Sequence, residues 1–131
     1  MSASSGGLSR ALVAAGALVV AAGVAMGAVA SHAAGRAPHP DAARLLNTAV
    51  LYQLVHGIGL VLAGVLARFG ATRWLHVAGG AFLIGVALFC GALYWLAFSG
   101  TSAGPIAPIG GLLLIAGWVA VSLHALTAGR S

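Results

Sequence analysis

The chain has 131 residues, of which 61% are hydrophobic and only 5% are charged, with a net charge of +5. Soluble domains carry charged side chains at about 25% of their positions, so this composition excludes a water-soluble globule and makes lipid the solvent for most of the surface. The six basic residues are all Arg and stand singly near the ends of hydrophobic runs. That scatter excludes the continuous basic surface that a nucleic-acid-binding protein needs.

Four uncharged stretches are each long enough to cross a membrane as a helix. A helix rises about 1.5 Å per residue, so about 20 apolar residues span a hydrocarbon core of roughly 30 Å. The four stretches are Ala11–Ala30, Leu45–Ala67, Leu75–Phe98 and Ile106–Leu126. None of them shows the alternation of polar and apolar residues that is typical of a transmembrane β-strand. The sequence therefore predicts an all-α integral membrane bundle of four antiparallel helices in a single domain, 1–131, with helices at about 9–31, 42–67, 74–98 and 106–127.

The first apolar run carries three glycines on one helical stripe, Gly16, Gly23 and Gly27. Small residues at this spacing let another helix approach closely, so a permanent membrane span is expected. A cleaved signal peptide is the alternative, because Arg10 precedes the run and AVASHAA resembles a cleavage site. Secretory apolar regions usually hold about 7–15 residues, and this run is longer.

The longest connection, from Ser31 to Arg44, is also the most polar and contains the only acidic residue, Asp41. Asp41 follows Pro40 and precedes the second apolar run. This position predicts a helix N-cap whose side chain accepts a hydrogen bond from the first free amides. The next connection, RFGATRW, is short, so the second and third helices are expected to be antiparallel neighbours.

Four spans place both ends of the chain on one side of the membrane. That side also receives four of the six arginines, so the positive-inside rule predicts cytoplasmic termini. The four are Arg10, Arg68, Arg73 and Arg130, and the other two are Arg36 and Arg44. Interfacial aromatic residues are expected near the helix ends, at Trp74, Tyr94 and Trp95.

The fourth span begins with residues that usually break helices, in the stretch GPIAPIGGLLLIAGW. Pro105 and Pro108 fall before and within the first turn, where backbone amides have no partner inside the helix, so proline costs little there. Gly110 and Gly117 form a stripe that continues to His124. The prolines predict a sharp helix start, and the glycines predict a close-packing face.

Four segments, one in each predicted helix, carry a family resemblance: MGAVASH (26–32), TAVLYQLVHGIGL (48–60), LFCGALYWLA (88–97) and GPIAPIGGLLLIAGW (104–118). Together they resemble the domain of unknown function 423 family, also called transmembrane protein 256-like. The chain departs from the family at the end of the first helix, where GAFGAH is typical. This sequence reads GAVASH, with Val29 in place of the aromatic residue.

The resemblance implies a four-helix integral membrane protein of the bacterial plasma membrane, with relatives in eukaryotes. It implies no established activity, substrate or cofactor. The positions that match the family motifs are His32, Tyr94, Gly104, Pro105, Pro108, Gly110, Gly111, Gly117 and Trp118.

His56 lies near the middle of the second span and is therefore placed deep in the bilayer. An ionisable group at that depth is costly and is a candidate functional residue. Tyr52 and Gln53 precede it by about one turn, so the sequence predicts one polar face of three side chains toward a neighbouring helix. The face has two interpretations: hydrogen bonds that fix helix register, or a site for a ligand, a proton or a cofactor.

Other chemistry finds little support in the residue types. His76 and His124 have similar predicted depth and could ligate a haem iron axially, although two such histidines also arise by chance. The sequence lacks the ligand spacing that is typical of a zinc site. It has no second cysteine that could form a disulfide with Cys90, and no second acidic residue that could form a carboxylate pair with Asp41. A path for ions across the membrane would also need polar or charged side chains along it. The predicted spans offer only one deep histidine and no acidic residue. We therefore expect no metal, no cofactor and no enzymatic activity.

The predicted function is a non-enzymatic membrane protein that packs against other membrane proteins or a second copy of itself. Its basis is a surplus of small-residue stripes over what four helices use internally, at Gly16/Gly23/Gly27, Gly80/Ala87/Gly91 and Gly110/Gly117. The alternative is a small-molecule or proton-handling membrane protein that uses the face of Tyr52, Gln53 and His56.

Overall fold

The computed structural model describes residues 3–130, with side chains from residue 6 onward. It consists mainly of four helices, α1 (Ala3–Ala33), α2 (Ala42–Ala67), α3 (Arg73–Ser99) and α4 (Ile106–Thr127), with a short 3-10 turn at Ala34–Arg36. Each of the four is long and apolar enough to cross a membrane. The predicted all-α four-helix membrane bundle is confirmed.

Two helices have the bounds that the sequence predicts, α2 and α4, and α3 differs by one residue at each end. The first helix, α1, begins six residues earlier and ends two residues later than expected. Its uncharged run starts at Ala11, but Leu8 already packs against the hydrophobic core. Tertiary packing of this kind stabilises a helix end that would otherwise fray, so the helix continues past the apolar run.

The helices pack in chain order, α1 on α2, α2 on α3 and α3 on α4. The two central helices are therefore the most buried, and α1 and α4 keep most of their surface for lipid. The core between them contains fully buried large side chains, among them Leu60, Leu75 and Phe82. Apolar side chains such as Leu18 and Leu112 point outward, as expected where the surrounding solvent is hydrocarbon.

The first two helices approach so closely that their backbones touch. A Cβ atom on Gly16 would lie 2.6 Å from the carbonyl oxygen of Gly57 and 2.7 Å from the amide nitrogen of Val61. A Cβ atom on Gly64 would lie 2.9 Å from the carbonyl oxygen of Ser9. Lipid supplies no hydrophobic force between helices, so close van der Waals packing of this kind holds α1 on α2.

The same type of contact joins α3 to α4. A Cβ atom on Gly110 would run into the backbone of Phe89, and one on Gly117 would lie 2.5 Å from the ring of Phe82. The predicted close-packing face of α4 is therefore directed at α3.

Two of the three small-residue stripes therefore pack against other helices of this chain. The surplus of stripes that the sequence predicts is reduced to one. The stripe on α1 faces α2, and the stripe on α4 faces α3. The third stripe, Gly80, Ala87 and Gly91, lies on the exposed side of α3, and we call it the outer α3 face. A Cβ atom on Gly80 or Gly91 would have no packed neighbour within 4 Å.

Asp41 stands at the N-cap position of α2, but its side chain makes no capping hydrogen bond, so that prediction is wrong. Its carboxylate accepts from Arg44 at 3.4 Å, and its backbone amide donates to Nδ1 of His39 at 3.0 Å. The dihedral angles of Asp41, φ −99° and ψ 22°, lie outside the extended region that a capping residue normally adopts. The carboxylate therefore stays in the exposed loop.

The connection from α3 to α4 turns at two glycines. Gly100, with φ 71°, ends α3, and Gly104, with φ 67°, precedes α4. Both are left-handed conformations that glycine adopts without steric cost. Pro105 then stands at the cap of α4 and Pro108 in its first turn, which confirms the sharp helix start.

We expect Gly16→Ala to lower the free energy of unfolding by about 1–3 kcal/mol, the usual cost of overpacking. The added methyl group would press on backbone atoms of α2, which cannot rotate away as a flexible side chain does. Gly80→Ala is the matched control, because its Cβ atom meets open space. Equal stability of the two variants in reversible unfolding would contradict the close backbone contact between α1 and α2.

Candidate functional site

A polar network at mid-depth joins three helices through Gln53, a buried residue of α2. Its Nε2 donates to the carbonyl oxygen of Val19 on α1 at 3.1 Å, and its Oε1 accepts from the hydroxyl of Tyr94 on α3 at 2.7 Å. One turn earlier on α2, the carbonyl oxygen of Ala49 accepts from the thiol of Cys90 at 3.3 Å. These bonds pair polar groups that lipid cannot satisfy, so they fix the register of the three helices.

His56 is the fifteenth of the 26 residues of α2, about 2 Å along the axis from its midpoint, and only 5% of its surface is exposed. Its Nδ1 lies 2.7 Å from the carbonyl oxygen of Tyr52. Because a carbonyl oxygen can only accept, Nδ1 must carry the hydrogen. A charge at this depth is costly, so the ring is neutral and Nε2 holds an unprotonated lone pair.

Three aromatic rings hold the imidazole of His56 in place. The Tyr52 ring stacks with it at a centroid distance of 5.7 Å, while Phe82 of α3 and Trp118 of α4 approach to 5.6 and 5.9 Å. Gly59 makes this arrangement possible, since a Cβ atom there would lie 3.2 Å from both Phe82 and Trp118. Residues of α2, α3 and α4 therefore pack around the ring, in addition to the hydrogen bond that its Nδ1 makes.

An open groove of about 280 Å³ lies on the exposed side of α2, lined by Leu51, Tyr52, Val55 and His56. Within the described part of the chain, Nε2 of His56 has no hydrogen-bond partner, and no fully enclosed side-chain nitrogen or oxygen lacks one. Nε2 is therefore not fully enclosed, and the ring of His56 lines this groove. The site presents a hydrogen-bond acceptor to hydrocarbon at mid-depth.

The three side chains that the sequence places on one polar face divide between two sites. Successive helical residues are about 100° apart, so Gln53 is directed away from Tyr52 and toward α1 and α3. Tyr52 remains 39% exposed, and its hydroxyl has no hydrogen-bond partner among the described residues. Gln53 therefore ties helices together, and His56 with Tyr52 forms the candidate site.

Tyr94, which the sequence predicts to be an interfacial aromatic residue, is directed into the bundle. Its ring is half-buried against the core, and its hydroxyl points inward to Gln53, while Trp95 is exposed. The sequence indicates this inward direction through Cys90, which stands four residues earlier, because residues at this spacing share a helix face. Cys90 and Tyr94 both donate hydrogen bonds to α2.

Thr72 contacts two histidines, His76 and His124, which the sequence relates only through their similar predicted depth in the membrane. Its hydroxyl lies 3.0 Å from Nδ1 of His124 on α4, and its carbonyl oxygen lies 3.3 Å from Nδ1 of His76. Among the residues that the structure describes, no three His, Cys, Asp or Glu side chains are grouped as metal ligands. The cluster ties the start of α3 to the end of α4, and no spacing in the sequence indicates the role of Thr72.

Most family-motif positions lie in the turn before α4 or in α4 itself: Gly104, Pro105, Pro108, Gly110, Gly111, Gly117 and Trp118. Gly110 and Gly111 lie against Phe89 of α3, Gly117 lies against the ring of Phe82, and Trp118 contacts His56. Tyr94 completes the Gln53 network. His32 lies apart from both sites and is exposed near the end of α1.

A family model described as a protein of unknown function, DUF423, matches residues 26–111. The UPF0382 membrane protein of Haemophilus influenzae is 35% identical over 100 residues, which cover 76% of this chain and 80% of that protein. A UPF0382 membrane protein of Schizosaccharomyces pombe is 31% identical over 102 residues, with 72% and 84% covered.

A UPF0382 membrane protein of Staphylococcus haemolyticus is 44% identical over 72 residues, which cover 54% of this chain. The match spans 58% of the length of that staphylococcal protein. No solved structure matches the chain. The relatives are named as membrane proteins, in agreement with the four membrane-spanning helices of this chain.

We expect Tyr94→Phe to lower the free energy of unfolding by about 0.6 to 1.7 kcal/mol, as for other hydrogen bonds between membrane helices. The reason is that Oε1 of Gln53 loses its donor. Tyr52→Phe is the matched control and should change stability little. A double-mutant cycle of Tyr94→Phe with Gln53→Leu isolates the bond, and a coupling energy of zero would show that it does not form in the membrane.

Proposed function

This chain belongs to the DUF423 family of proteins of unknown function, and we propose that it is a non-enzymatic membrane protein that binds a small lipophilic molecule at His56. The ligand donates one hydrogen bond to Nε2 and lies against Leu51, Tyr52 and Val55 in the groove. Its chemical class is an apolar compound with a hydroxyl or amine group.

The observation that carries this proposal is the unpaired Nε2 at mid-depth. Hydrocarbon cannot donate a hydrogen bond, so a polar atom left unpaired there raises the free energy of the protein. A ligand that donates to Nε2 removes this cost, whereas a purely apolar lipid chain does not. The rings of Tyr52, Phe82 and Trp118 hold the acceptor in position before the ligand arrives, which reduces the entropy lost on binding.

The residues around the groove favour binding over chemistry or proton transfer. Apart from His56 and the Tyr52 phenol, the groove is lined by aliphatic side chains. The one acidic side chain, Asp41, lies in the exposed loop before α2. A proton taken up by Nε2 would have no carboxylate to move to within the membrane, and general acid–base catalysis by a pair of carboxylates is not available.

A second candidate function is association with another membrane protein or with a second copy of this chain. The outer α3 face of Gly80, Ala87 and Gly91 supports it, because small residues on an exposed helix face allow close helix approach. The two candidates differ in the residues that they require. Gly91→Leu would remove the association and leave the groove of His56 intact.

The proposed location is the plasma membrane of a bacterium, with both termini in the cytoplasm. Bacterial relatives named as membrane proteins support this location. The arginine distribution supports the orientation, since four of the six lie at the end of the bundle where α1 begins and α4 ends.

We expect the purified chain in lipid nanodiscs to bind 4-hexylcyclohexanol about tenfold more tightly than hexylcyclohexane. A tenfold difference in affinity corresponds to about 1.4 kcal/mol, which is the contribution of one hydrogen bond. Fluorescence of Trp118 reports the binding, because its ring lies 5.9 Å from that of His56. Trp74→Phe and Trp95→Phe remove the other two tryptophans.

The preference should disappear in His56→Leu, which replaces the acceptor by an apolar group of similar size. Tyr52→Phe should retain it, because the Tyr52 hydroxyl takes no part in the proposed hydrogen bond. Equal affinity of the wild-type chain for the alcohol and the hydrocarbon, at matched mole fraction in the bilayer, would overturn the proposed function.

A further inference from the structure

Two arginines from different helices line one pocket at the end of the bundle where α1 begins and α4 ends. Arg10 of α1 and Arg68 at the end of α2, together with Gly6 and Ser9, line an open pocket of about 330 Å³. Water occupies about 30 Å³ per molecule, so the pocket holds a group of roughly ten heavy atoms. This is the size of a phosphate with a glycerol attached.

The protein itself supplies no acidic side chain to this pocket. The sequence has one carboxylate side chain, Asp41, which lies at the opposite end of α2 and pairs with Arg44. Arg73, at the same end of the bundle as the pocket, lies 5.0 Å from the ring centre of Trp74 in a cation–π contact. Arg10 and Arg68 have neither kind of partner among the described residues.

The depth of the pocket matches the level of lipid headgroups. Arg10 directly precedes the uncharged run of α1, and Arg68 directly follows that of α2, so both guanidinium groups lie at the edge of the hydrocarbon core. Topology alone accounts for arginines at this level. It does not account for two of them converging on one pocket between neighbouring helices, an arrangement typical of sites for anionic headgroups.

We propose that this pocket binds a phosphate group, either in the headgroup of an anionic phospholipid or as free phosphate. The planar guanidinium presents paired N–H donors that match two oxygens of a phosphate. Two guanidinium groups on separate helices can hold different oxygens of the same phosphate. Binding would therefore link α1 to α2 at their membrane-surface end.

Native mass spectrometry of the full chain in a neutral detergent tests the proposal, with dioleoyl phosphatidylglycerol as the probe. Each arginine near an anionic headgroup contributes about fivefold to affinity, so Arg10→Gln/Arg68→Gln should weaken binding about 25-fold. Arg10→Lys/Arg68→Lys should retain most of the affinity, because the charge remains. Arg73→Gln is the matched control and should bind as the wild type does.

Competition with inorganic phosphate identifies the source of the group. Displacement of the lipid at a comparable concentration would assign the pocket to free phosphate, and persistence of the lipid would assign it to the headgroup. Either result supports the phosphate site if it depends on Arg10 and Arg68. Phosphatidylglycerol binding that is equal in the wild type and Arg10→Gln/Arg68→Gln would overturn the proposal, as would failure of the wild type to bind either probe.

Discussion

Hydrocarbon offers no hydrogen bonds, and this property of the surrounding solvent governs the whole structure. Backbone groups must be satisfied within helices, and buried side chains must find partners on neighbouring ones. Gln53 does so with Val19 and Tyr94, and Cys90 does so with a carbonyl oxygen of α2. His56 uses one ring nitrogen within its own helix and leaves the other open to a groove.

Close glycine packing and the polar groups of the bundle depend on each other. Gly57 stands next to His56 and lets α1 approach, which brings the carbonyl oxygen of Val19 within reach of Gln53. Gly59 leaves room for the aromatic rings that surround the imidazole. Larger residues at these positions would separate the helices and leave Gln53 unpaired in lipid. The stability of the fold and the geometry of the site therefore depend on the same contacts.

Features that follow from local sequence could be predicted, and features that follow from the rotation of one helix against another could not. The four spans and the helix start at Pro105 depend on hydropathy and backbone chemistry, and both are confirmed. The Gln53–Tyr94 bond joins residues 41 positions apart, so helical spacing could not reveal it. Asp41 failed as a cap because the surrounding loop fixes its backbone outside the capping conformation.

The protonation of His56 is the property from which the proposed site follows most directly. Solid-state nitrogen NMR of the histidine-labelled chain in lipid bilayers measures it, since protonated and unprotonated ring nitrogens resonate far apart and His56→Gln identifies the signal. At neutral pH the structure predicts a protonated Nδ1 and an unprotonated Nε2. A doubly protonated ring, or a hydrogen on Nε2 with a bare Nδ1, would contradict an acceptor that faces the groove.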